Sequence, residues 1–198
     1  MTTGVRRTAI ILGVAVVALV TAHWLDFRAA SGLAYPPASE ADWGRLLRIA
    51  GYAPSWLIVA GALWLEDRRG RAALAVLASV AAAGLAAELV KLIVRRGRPD
   101  PLALSYLFRS FADHPFNSKN FGFPSSHVAV AFGGAAALGN RFPRASPIFY
   151  AVAAGCGLTR LFAGAHFLSD VVGGLLGGIL IGRAVARAID PRPPASAG

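Results

Sequence analysis

The stretch Ala72–Asp100, AALAVLASVAAAGLAAELVKLIVRRGRPD, decides the fold. Its first 23 residues, Ala72–Val94, carry only Ser79, Glu88 and Lys91 as polar interruptions. A helix needs about 20 apolar residues to cross the hydrocarbon core. Arg95, Arg96, Arg98 and Pro99 follow at once and end the run. The pattern is that of a membrane-spanning helix with a basic cluster at one end.

Five more apolar stretches flank this one: Thr8–Leu25, Ile49–Leu65, Ser126–Gly139, Ala145–Thr159 and Phe167–Gly182. The first two are long enough to span. The last three are short and rich in Gly and Ala, so each needs flanking residues to complete a crossing. Gly173, Gly174, Gly177, Gly178 and Gly182 include small residues at four-residue spacing, which lets two helix backbones approach closely. Pro54 removes a helix hydrogen bond and is expected to kink the second stretch. Trp24, Trp43, Trp56 and Trp64 mostly lie near stretch ends, where amphipathic rings favour the interface. The expectation is an all-α bundle of six transmembrane helices in one domain, residues 1–189. A disordered tail, residues 190–198, follows.

Composition agrees. The chain has 198 residues, 56% hydrophobic and only 15% charged, against about 25% charged in soluble domains. Mean hydropathy is +0.55. Arg6-Arg7 followed by an apolar core resembles a signal peptide, but no small-residue pair follows that core directly. An uncleaved first span is the preferred reading. Cys156 is alone, so no internal disulfide or Cys metal cluster forms.

The net charge of +10 needs a cause. With both termini cytoplasmic, half of the 20 positive residues fall at inner helix ends, as the positive-inside rule expects. The other half falls outside, with Lys91, Arg95, Arg96, Arg98, Arg109 and Lys119 clustered. No basic stripe with interleaved aromatics runs along one segment, which argues against nucleic acid. The outer cluster points to an anionic ligand.

Three ionisable groups land on that same predicted face. One is Lys91 with the Arg cluster. The second is Phe123-Pro124-Ser125-Ser126-His127, which opens the fourth stretch. The third is Thr159-Arg160, then His166, then Asp170. Ionisable residues beside membrane spans are expensive and need a reason. Arg binds phosphate through a planar fork and Lys as a point charge. Ser125 and Ser126 stand at an expected helix N-terminus, which favours an anion. His166 and Asp170 are four apart and would share a helix face. A carboxylate on one ring nitrogen fixes the tautomer and makes the other a nucleophile. His127 is suited to protonate a leaving oxygen. Together they describe phosphoryl transfer through a phosphohistidine. Two His and one Asp so placed are a weak metal-ligand set.

Lys91, six residues, Arg98-Pro99; Pro124-Ser125-Ser126-His127; Thr159-Arg160, five residues, His166, three residues, Asp170: this resembles the three-part signature of the type-2 phosphatidic acid phosphatase superfamily. Order and internal spacings fit throughout. Ser126 stands where the family usually has Gly, and Thr159 where it often has Ser; neither change removes a catalytic group. The resemblance implies His166 as nucleophile, Asp170 as its orienter and His127 as acid. It implies Lys91, Arg98, Ser125, Arg160 and the backbone at Ser126 as the phosphate cradle, with no metal and no other cofactor.

The substrate expected from a site on the outer, periplasmic face of the cell inner membrane is a lipid phosphate, with undecaprenyl diphosphate as first choice. Phosphatidylglycerophosphate, phosphatidic acid and lipid A phosphates remain alternatives, as do a lipid phosphotransferase and a non-catalytic lipid-binding protein. The segment Asp100–Gly122 is the expected specificity loop, with Arg109 and Lys119 as candidate headgroup contacts. Glu88, one turn before Lys91, is expected to pair with it or to meet a substrate hydroxyl.

Overall fold

A computed structural model describes residues 3–100 and 105–191. Among these, eight α-helices are joined by turns, and two isolated bridges, Arg96–Phe108 and Gly97–Phe121, are the only extended pairing. The helices are α1 (Thr3–Leu33), α2 (Pro36–Glu40), α3 (Asp42–Ile49), α4 (Trp56–Glu66), α5 (Arg71–Val94), α6 (Ser126–Arg141), α7 (Ser146–Phe162) and α8 (Leu168–Ile189). The expected tail beyond residue 191 lies outside the described residues.

Helices α1, α5, α7 with its preceding turn, and α8 are long and apolar enough to cross a membrane. The pair α3 and α4 passes as well, counted as one span bent by 76°. The fourth apolar stretch forms α6, whose 16 residues rise only about 24 Å. Helix α1 leaves Ile11, Leu12, Val14, Val16, Val17 and Val20 exposed along most of its length. In water that would be an untenable apolar surface; hydrocarbon is its natural solvent. The chain is a multi-pass membrane protein.

Helix α6 is the axis of the bundle, with every residue from Val128 to Asn140 buried. It lies against α5, α7 and α8. Its tightest seam is with α8. A Cβ at Gly174, Gly178 or Gly182 would stand 2.6 Å from the carbonyl oxygen of Ser125, Ala129 or Gly133 respectively. Each set of three is spaced by four residues, so the two backbones run in contact for two turns. Dispersion holds such a seam in lipid, where apolar side chains gain nothing by leaving the solvent. Gly173 meets the Phe123 ring instead, and Gly177 faces open space. The seam fixes where Ser125 and the start of α8 meet: the Ser125 N–H donates to the Asp170 carbonyl at 2.9 Å.

The break between α3 and α4 is wider than a proline kink. It runs through Gly51 and Tyr52 into a 3-10 turn holding Pro54. The freed carbonyls are met locally. Ser55 Oγ donates to Ile49 and Tyr52, and Trp56 Nε1 donates to Ala50 at 2.9 Å. Trp56 is therefore buried against Gly134 rather than placed at an interface. Trp24, Trp43 and Trp64 are exposed. At the break, a Cβ on Gly51 would meet His127 Cβ and Cys156 Sγ at 2.8 Å. The bend thus lays bare backbone beside His127.

Candidate active site

One cavity of about 410 Å³ gathers the three separated sequence groups. Lys91 reaches it from the last turn of α5 and Arg98 from the segment after it. Ser126 and His127 come from the first turn of α6, and His166 from the turn between α7 and α8. Glu88 and Lys119 line it too, while Gly51, Tyr52 and Ala53 close one side. Gly84 and Val130 extend the lining into apolar surface below Glu88. Arg109 is not among the lining residues; it is exposed, and its backbone pairs with Arg95.

His166 does not share a helix face with Asp170, as the four-residue spacing suggested. It stands in the turn before α8, and Asp170 is in the helix's first turn. The two meet because Asp170 Oδ2 accepts the Phe167 N–H at 2.8 Å, folding the turn back over the helix start. The same oxygen faces His166 Nδ1 at 3.3 Å. With Nδ1 engaged by the carboxylate, Nε2 is the ring nitrogen left for chemistry. Burial, the largest influence, joins with the charges of Arg160 and Arg98 to hold the His166 pKa below its ordinary 6.5, against the opposing pull of Asp170. A neutral imidazole is the nucleophilic form, so His166 is expected to stay competent as pH falls through 6.5. Its labelled ring resonances should titrate below that value; a midpoint above it would contradict this electrostatic picture.

The candidate anion-binding groups divide by exposure. Lys91 and Arg160 are 6% and 9% exposed. Ser125 is fully buried at the N-cap of α6, yet its hydroxyl caps nothing. Ser125 Oγ and Arg160 Nε have no hydrogen-bond partner among the described residues. Buried donors are seldom left unmet; Arg96 Nε is a third such atom, and of the three Ser125 Oγ and Arg160 Nε belong to the motifs that would hold a phosphate. Thr159, by contrast, turns its hydroxyl to the Cys156 carbonyl of its own helix at 2.7 Å.

Glu88 does pair with Lys91, at 2.8 Å, but also accepts from Ser118 Oγ at 2.5 Å and from Ser126 Oγ. Ser126 Oγ also accepts from Lys91. The hydroxyl that replaces the family's usual Gly thus ties α6 to α5, a role its backbone gave no sign of. Among the described residues no three His, Cys, Asp or Glu side chains cluster as a metal site.

Half of the basic cluster works elsewhere. Arg95 ends α5 in a left-handed conformation, φ +53°, which splits three near neighbours in different directions. Arg95 donates to the carbonyls of Arg109, Asp113 and Pro115 and lies over the rings of Phe111 and Phe121. It fastens the expected specificity loop, whose residues 101–104 lie outside the described residues. Arg96 turns inward and donates to Asp170 Oδ1 and Ser169 Oγ. Of these three arginines, Arg98 alone faces the cavity, where it donates to the Lys119 carbonyl at 3.2 Å. Buried Asp26, Arg96 and Ser169, with half-buried Tyr106, form a polar cluster beside Asp170 that no motif announced.

The chain is similar to several known proteins. Residues 72–193 match the family model described as the PAP2 superfamily. The chain is 34% identical over 170 residues to a lipid A 1-phosphatase of Rhizobium johnstonii, covering 76% of this chain and 68% of that protein. A lipid A 1-phosphatase of Rhizobium etli is 32% identical over 175 residues, covering 79% and 74%. In fold the chain resembles the crystal structure of a transmembrane PAP2-type phosphatidylglycerolphosphate phosphatase from Bacillus subtilis. The TM-score is 0.50 at 20% identity, over 87% of this chain and 96% of that one.

Proposed function

The chain belongs to the PAP2 superfamily, and from that premise we propose that it removes the 1-phosphate of lipid A or a close glycolipid phosphate. The observation that carries the chemistry is the single cavity lined by Lys91, Arg98, His127 and His166, with a carboxylate on His166 Nδ1. His166 Nε2 attacks phosphorus. The bond to the leaving oxygen breaks as His127 delivers a proton to it. Lys91, Arg98, Arg160, Ser125 and the α6 N-terminus hold the other oxygens and stabilise the charge that grows in the transition state. Water then cleaves the phosphohistidine, with His127 taking its proton. These cations supply the electrostatic stabilisation, so the reading calls for no metal.

The relatives named lipid A 1-phosphatase, alike over three quarters of this chain, support that substrate over undecaprenyl diphosphate. Lys119 at the cavity rim suits a further headgroup anion, and the apolar wall at Gly84 and Val130 suits the start of an acyl chain. The reading places the cavity at the periplasmic face of the inner membrane, with six crossings and cytoplasmic termini. Helix α6 counts as a crossing despite its length. Protein surrounds it on all sides, so it need not match the hydrocarbon thickness.

Phosphate release should be measured on purified protein in detergent with EDTA present. The panel is lipid A bisphosphate, undecaprenyl diphosphate, phosphatidylglycerophosphate and phosphatidic acid. Fastest release from the 1-position of lipid A is expected. Faster release from another lipid would overturn the substrate, and release from none would overturn the phosphatase reading.

A further inference from the structure

Helix α1 lies outside the matched region and is exposed along nearly all its length, yet it buries one carboxylate. Asp26 is completely inaccessible to solvent. Its Oδ1 accepts the Ser169 N–H at 2.7 Å. Its Oδ2 accepts Ser169 Oγ at 2.5 Å and the Tyr106 hydroxyl at 2.9 Å. Arg96 Nη1 stands 3.6 Å from the same oxygen, and His23 Nδ1, at the exposed rim, 3.7 Å. A lone buried carboxylate is very costly, and this one is met on every side.

What Asp26 holds is what holds Asp170. Arg96 Nη2 donates both to Asp170 Oδ1 and to Ser169 Oγ, and Ser169 Oγ in turn donates to Asp26. The Arg96 guanidinium is enclosed by the rings of Tyr106, Phe123 and Phe167, 4.9–5.3 Å from their centroids. It is thus fixed by two carboxylates on opposite helices. One of them, Asp170, has its other oxygen on His166. None of Asp26, Ser169, Arg96 and Tyr106 lines the reaction cavity. Burial and the bond to Asp26 raise the Tyr106 pKa above its ordinary 10, so its hydroxyl remains a donor at any working pH.

We propose that Asp26 is a positioning residue, acting through Arg96 and Ser169 to fix the Asp170 carboxylate, and through it the His166 ring, for attack on phosphorus. The first helix is then part of the catalytic apparatus rather than only an anchor. The proposal rests on His166 being the nucleophile. A residue that aims the nucleophile without touching substrate should alter kcat and leave KM in place. A residue that only clips α1 to the bundle should alter stability and leave the turnover of folded protein unchanged.

The test compares wild type, Asp26→Asn, Tyr106→Phe and His166→Ala as full chains in detergent. The probe is lipid A bisphosphate, or the panel lipid turned over fastest. Asp26→Asn should lower kcat about 10- to 100-fold with KM within about twofold, the range for residues orienting a reactive group from behind. Tyr106→Phe keeps the ring and removes the hydroxyl that donates to Asp26 and also meets His23 Nδ1 and the His23 carbonyl at 3.2 and 3.3 Å, and it should lower kcat about fivefold. Wild-type kcat in Asp26→Asn, or a rise in KM alone, would overturn the proposal. Where Asp26→Asn cannot be purified folded, Tyr106→Phe decides alone, and wild-type kcat there overturns it. A fully active His166→Ala would overturn instead the nucleophile assignment on which the proposal stands.

Discussion

His166→Ala is expected to lower phosphate release about 10⁴-fold or more, to the background of the lipid alone. Nothing in the cavity replaces the lost nucleophile. Among the described residues no carboxylate hydrogen-bonds to His127, which enters from α6, and the Ser126 hydroxyl in the cavity lining is engaged by Lys91 and Glu88. The cradle survives the substitution, since Lys91, Arg98, Ser125 and Arg160 come from other elements. Substrate should therefore still bind, and the loss should sit in kcat. Brief exposure of wild type to substrate labelled in the phosphate should leave acid-labile, base-stable label on the protein, and none on the variant. Undiminished release, or equal labelling, would remove the phosphohistidine route.

How far the sequence could be read depended on how locally each feature is encoded. The apolar runs announce helices because their length is matched to the hydrocarbon, and the α6–α8 seam follows from Gly at four-residue spacing. The three motifs bring their own chemistry, and the six-span reading set them on one face, so their meeting in one cavity could be anticipated. The basic cluster could not be sorted, because Arg95, Arg96 and Arg98 look alike in sequence. The left-handed turn at Arg95 sends one to a loop, one to the interior and one to the cavity. Only the last lines the cavity, so the surplus positive charge of that segment is partly scaffold. Asp26 was wholly illegible. It is separated from Asp170 by most of the chain, and an acid at the end of an apolar run reads equally well as an interface residue. Ser126 was half legible: its backbone role follows from its place at a helix start, whereas its bonds to α5 require the fold. The 76° bend exceeded the kink expected of Pro54, because Gly51 and the 3-10 turn act with it.

Arg96→Ala is expected to be the most destabilising single truncation in the polar interior, by about 3–5 kcal/mol, the range for breaking a buried ion pair. The guanidinium is 5% exposed and answers two carboxylates that are fully buried. Removing it leaves Asp26 and Asp170 facing each other's charge with only neutral donors, and it empties the space between three aromatic rings. Arg96→Lys should recover only part of the loss, because a single ammonium cannot donate to Asp170 and Ser169 while remaining beside Asp26. Unfolding in detergent, followed by helix signal against added denaturant, gives the comparison. The sharper test is the double variant. If the cost arises from uncompensated charge, Arg96→Ala combined with Asp26→Asn should be less destabilised than Arg96→Ala alone, because one stranded carboxylate has been neutralised. If the cost arises from lost packing, the second substitution should add to the first. An additive result would show that Arg96 serves this fold as bulk between rings and not as the charge that joins the first helix to Asp170.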